Sequence, residues 1–116
     1  MSLKERAKAH FKAQLDGEPG CVEVPEWGEP DKPARIYFKP QTLAEKNKIF
    51  SATESGRLEA IAVTLIVRSR NEDGSKVFSE ADKFELMRSY DPDVMARVVN
   101  AMNMWDAEAK ASLPGE

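Results

Sequence analysis

The sequence predicts an α+β fold that is predominantly helical, with a small β-hairpin packed against about four or five helices. Three observations lead there. Apolar residues recur at helical spacing over most of the chain. Two short alternating runs lie between residues 20 and 40, each bounded by Pro and Gly. Ser2, Thr42 and Ser79 are each followed three positions later by Glu or Asp, the signature of a helix start. The 116 residues suit a single domain over 1–116 with one modest core.

Ser2 with Glu5 opens the first helix, an amphipathic segment at 1–16 with Leu3, Ala7, Phe11 and Leu15 along a narrow stripe. Asp16-Gly17 and Pro19-Gly20 end it. Cys21 to Pro25 alternates as a half-buried strand does. Trp27 to Pro33 reads as a turn-rich connector, and Arg35 to Lys39 as the returning strand, giving a hairpin over 20–40 with a long loop. Two strands alone are marginal in water, so the hairpin must pack on helices or on another chain.

A helical core is expected over 42–110. Thr42 with Glu45 starts its first helix, and Ser55-Gly56 interrupts it. The run LEAIAVTLIVRSR from Leu58 is rich in β-branched residues, so both helix and buried strand are open. Its length and the leading Glu59-Ala60 favour a central helix. Asn71 to Gly74 is a turn. Ser79 with Asp82 caps a helix carrying Phe84, Leu86 and Met87. Asp91-Pro92 starts the last helix, with Met95, Val98, Val99, Met102 and Trp105 on one face. Residues 111–116 are expected to be a flexible tail.

Function classes narrow by elimination. The net charge of −3 offers no basic footprint for nucleic acid or for an acidic membrane. Over residues 79–110, where two helices joined at Ser89 to Pro92 invite a helix-turn-helix reading, four basic residues face seven acidic ones. A DNA-binding regulator is thus the weaker alternative. His10, the single histidine, has no orienting partner in its vicinity, and Cys21, the single cysteine, starts a strand. No Gly-rich phosphate loop occurs, and Asn71 to Gly74 lacks the ligand series of a calcium loop. No enzyme, cofactor or metal is expected. The charged N-terminus does not suit a signal peptide, and no apolar run is long enough to span a bilayer, so a reducing cytoplasm is expected.

Adaptable apolar residues are the remaining signal. Met102, Met104 and Trp105 cluster near the end of the last helix, and Leu3, Phe11 and Leu15 line the first. Thioethers fit irregular apolar partners and Trp anchors interfaces. These six are the candidate protein-binding residues. For Met95 and Met102 core packing is the favoured role. Met104 and Trp105 lie about 100° apart on a helix, so at most one of them is expected to be fully buried.

The order of these segments resembles the tail assembly chaperones of long-tailed, siphovirus-type bacteriophages and prophages. In that family a strand of the type xVYVRPLT leads into a helix with an early Glu. Here Ile36-Tyr37-Phe38-Lys39-Pro40 and Thr42-Leu43-Ala44-Glu45 stand in those places, with Lys39 where Arg is commoner. A later match comprises Asp73-Gly74, Val77-Phe78-Ser79, Asp82 and Leu86. The likeness spans roughly residues 20–105. It implies a non-enzymatic holdase that coats the tape measure protein in the host cytoplasm until tail tube subunits polymerise, and that is absent from the virion. It further implies a longer frameshifted form of the same protein that recruits the tail tube protein. Self-association is left open, and a tail-completion or connector subunit is the structural alternative.

Overall fold

The computed structural model describes residues 2–111, with side chains described through Ala109. The elements run α1 (Leu3–Asp16), β1 (Gly20–Glu29), β2 (Lys32–Phe38), α2 (Leu43–Thr53) and α3 (Arg57–Arg68). A 3-10 turn (Glu80–Asp82), α4 (Lys83–Ser89) and α5 (Pro92–Ala111) follow. This is a small α+β fold with one antiparallel hairpin. The tail expected at 111–116 lies outside the described residues beyond Ala111.

Local chemistry explains the helix starts. The Ser2 hydroxyl accepts from the Glu5 amide at 3.2 Å. Thr42 and Glu45 close a full capping box, at 3.1 and 2.8 Å. Around the 3-10 turn the Ser79 amide donates to Asp82 Oδ2 at 2.7 Å, and the Asp82 amide donates to the Ser79 carbonyl at 3.0 Å. Gly56 takes φ 140°, a conformation costly for any residue with a Cβ, and lets α3 leave α2 sharply. The ambiguous apolar run is helix α3, and seven of its twelve residues are buried. It sits at the centre of the core with Leu65 and Ala62 fully enclosed.

The hairpin departs from the sequence reading. The segment from Trp27 to Pro33 is not a connector. β1 continues to Glu29, and only Pro30 and Asp31 lie between the strands. Register runs from Gly20↔Phe38 to Val24↔Ala34, breaks in a bulge, and resumes at Glu29↔Lys32. Packing overrides the turn-forming composition here. Trp27 meets Phe78 edge-on at 6.4 Å and Tyr90 at 5.7 Å, which anchors the bulged strand to the body. Gly28 is required at the bulge, since a Cβ there would collide with the backbone of Lys32 to Ala34. One hairpin face gives Val24, Ile36 and Phe38 to a core completed by α3, Phe78, Leu86 and the α5 residues Val94, Met95, Val98 and Met102.

A buried charge ties these layers together. Arg68 ends α3 with only 3% of its surface exposed. Its Nη1 donates to Asp106 Oδ2 at 2.7 Å, and its Nη2 donates to Asp106 Oδ1 at 2.9 Å and to the Lys39 carbonyl at 2.8 Å. The guanidinium also lies 5.1 Å from the centroid of the Phe38 ring. One side chain thus holds α3, α5 and the exit of β2. Replacing Asp106 with Ala strands a buried cation and should cost about 3 kcal/mol in urea unfolding. The double variant Arg68→Met/Asp106→Leu should recover most of that loss.

On the hairpin's outer end, Arg97 grips Glu26 with two bonds of 2.7 Å. The Arg97 hydrogen bonds hold the Glu26 carboxyl down at about 2, from an ordinary 4.5. A depressed folded-state pKa means stability present above pH 4.5 and lost as pH falls toward 2. The melting temperature should fall across that window, and Arg97→Gln should flatten this part of the profile.

Candidate protein-binding surface

Helix α1 has no buried residue. Its stripe is too thin to enter the core, and its flanks are Lys, Glu and Arg. What fixes it is its C-terminal end. Lys39 Nζ donates to the Leu15 carbonyl at 2.6 Å, and Gly20 lies against the Phe38 ring, where a Cβ would clash.

Two open clefts flank this junction. One, of about 580 Å³, lies between α1, the residues ahead of α2 and the end of α5, and is lined by Phe11, Gln14, Pro40, Gln41, Trp105 and Ala107, among others. The other, of about 590 Å³, is lined by Leu15, Pro19, Phe38, Pro40, Val67 and Arg70, among others. Pro40 is common to both. Asp106 lines the first and Arg68 the second, so the buried ion pair stands at the inner side of the two clefts.

The six candidate residues separate on this geometry. Phe11 and Trp105, distant in sequence, share one cleft. Leu15 faces the neighbouring one. Trp105 is half-buried and meets Phe38 edge-on at 5.1 Å, so it both braces the core and walls the cleft. Leu3 is 76% exposed, three turns up α1 from Leu15. Met104 is 56% exposed and lines neither cleft. Met102 is the correction: it is fully enclosed between the hairpin and α3, and no partner can reach it. It shares the inward face with Met95 and Val98, and that face is the core face of α5.

Other exposed apolar side chains lie outside the six candidates. Leu43 and Phe50 stand on α2, Leu58 on α3, and Phe84 and Met87 on α4. Helical geometry carries the signal. Leu43 and Phe50 are seven residues apart and share a side of α2. Only Leu86 of α4 is buried, and Phe84 and Met87 cannot share its direction. Arg88 covers the Phe84 ring at 4.7 Å. His10 and Cys21 are both exposed. Among the described residues no group of three or more His, Cys, Asp or Glu could hold a metal ion. The segment Asn71 to Gly74 forms a turn closed by Gly74 N–H to the Asn71 carbonyl at 2.9 Å. No helix among the described residues is long and apolar enough to cross a membrane.

No protein-family model and no curated protein matches the sequence. Among solved structures the fold is similar to that of the bacteriophage HK97 tail assembly chaperone. The TM-score is 0.55 at 15% identity, over 85% of this chain and 93% of that one. At this identity the likeness establishes a common fold.

Because α1 buries nothing, its apolar residues can be changed without touching the core. Phe11→Ser and Leu3→Ser should each shift unfolding free energy by less than about 0.5 kcal/mol. Trp105→Ala should cost about 3 kcal/mol, since it empties the space beside Phe38. Chemical denaturation of the three variants checks this division.

Proposed function

We propose that this chain is a phage tail assembly chaperone, which binds the tape measure protein without catalysis and keeps it soluble in the host cytoplasm until the tail tube polymerises. The observation that carries this reading is the fold shared with the HK97 tail assembly chaperone across nearly the whole of both chains. The surface chemistry is compatible with it. The described residues present exposed apolar side chains on α1 to α5, which suits a holdase. The clefts beside α1 offer Phe11, Leu15 and Trp105 to an amphipathic client helix. Several copies along one long client would turn weak individual contacts into firm retention. On the same reading the protein is absent from the finished virion, and a longer frameshifted form would bring tail tube subunits to the complex.

Co-expression with a tape measure protein tests it. The client should move from the insoluble to the soluble fraction and co-purify with this chain. The variant Phe11→Glu, which leaves the core intact, should reduce co-purification several-fold. A client that stays insoluble, or that binds wild type and variant equally, counts against the chaperone role or against the α1 surface respectively.

A further inference from the structure

The outer edge of β1 is open, and the register shows which backbone groups it presents. Tyr37 on β2 exchanges two backbone bonds with Arg70, at 2.9 and 2.8 Å. The amide and carbonyl of Tyr37 therefore point away from β1. Its partner across the hairpin, Cys21, must then belong to a non-hydrogen-bonded pair, with its own N–H and C=O directed outward. With a period of two, Glu23 opposite Arg35 does the same. Both residues are exposed, and among the described residues no backbone partner reaches these two amides or carbonyls. The next positions in this outward set are Pro19 and Pro25, which have no N–H. Val22 points to the core side yet is only half-buried, at the margin of the sheet. By contrast the far edge of β2 is covered at Tyr37 by Arg70.

We propose that residues 20–24 of β1 receive a short extended segment of a partner polypeptide, which pairs as an added strand and lays an apolar side chain over Val22. Strand addition draws its affinity from main-chain bonds and tolerates many sequences. The window, framed by two prolines, is about 17 Å long and has two donors and two acceptors. A second copy of this chain suits it poorly. An edge-to-edge pair on a two-fold axis would bring the two Glu23 carboxylates onto one face, set each Pro25 against a Pro19, and fall short of the roughly 800 Å² per partner of a stable interface. A short strand from a larger client requires no such area. This inference rests on the polypeptide-binding reading above and adds an extended mode of capture to the helical one.

Glu23→Pro tests it, because it deletes one outward N–H without removing any β1–β2 bond. Glu23→Ala is the control, since it loses the same side chain and keeps the amide. The probe is a soluble heptapeptide alternating serine and valine, which places no charge beside position 23, titrated by NMR. Wild type and Glu23→Ala should bind it with equal affinity and show slowed amide exchange at Cys21 and Glu23. Glu23→Pro should bind about fivefold more weakly, with the Val22 and Val24 amides still protected by β2. Equal binding by all three proteins, or none by wild type, overturns the proposal, while the co-expression result above would stand by itself. Concentration-dependent protection of the Cys21 and Glu23 amides in the free protein would overturn it in favour of a second copy.

Discussion

The pairing of Arg68 with Asp106 is the constraint on which the rest of this structure leans. A guanidinium is expensive to bury, and it is tolerated here because its environment is built around it. Asp106 meets it with two oxygens, the Lys39 carbonyl takes a third bond, and the Phe38 ring lies beside the cation. Its position at the end of α3 adds the favourable sign of the helix dipole. An apolar side chain there could fill the same space without fixing any direction. The fork of Arg68 fixes three: where α5 crosses α3, where β2 ends, and how the chain turns through Pro40 into α2. Trp105, next to Asp106, then falls onto Phe38. The two clefts beside α1 inherit their inner geometry from this one contact.

Local signals in the sequence were strong where the physics is local. Ser2, Thr42 and Ser79 mark helix starts because each cap is made within three residues. The central apolar segment became a helix because α2, α4, α5 and the hairpin enclose it from several sides, which removes the half-exposed face that its β-branched residues would suit in a strand. What stayed hidden depends on contacts distant in sequence. Arg68 and Asp106 are separated by 38 residues, and no periodicity connects them. Trp27 stands among five turn-forming neighbours, and only Phe78 and Tyr90, far downstream, hold it in a strand. The six contact candidates show the same limit. Helical phase put Met102 on the inward face with Met95 and Val98, but which of Met104 and Trp105 stays exposed needed the hairpin in place.

The division between α1 and the body has a functional logic. A helix that contributes nothing to the core is free to carry apolar residues for another purpose, at little cost to stability. It is nevertheless not loose at its base, where Lys39 holds the Leu15 carbonyl and Gly20 sits against Phe38. The strand-to-helix corner at Lys39 and Pro40 thus serves both sides of the molecule: Arg68 takes the Lys39 carbonyl from within, and the Lys39 ammonium reaches α1 from without. The corner matters because the angle between α1 and α5 decides what fits between them.

The open edge of β1 follows from the same economy. A free edge invites uncontrolled pairing, and proteins usually cover it, charge it or interrupt it. Here Glu23, with Arg35 at 3.5 Å, places one exposed charge on the edge. Among the described residues no backbone group pairs with Cys21 or Glu23 on that side. The edge is interrupted instead: Pro19 and Pro25 limit donors to two positions, and the register breaks after Val24. On the proposed strand addition, a stretch so short would hold one strand of a partner without nucleating a growing sheet. On the proposed function, helical segments of a client would meet α1 and Trp105, and segments not yet helical would meet β1. A holdase facing a chain that is still folding has use for both, since neither surface demands that the client be in one conformation before it is bound.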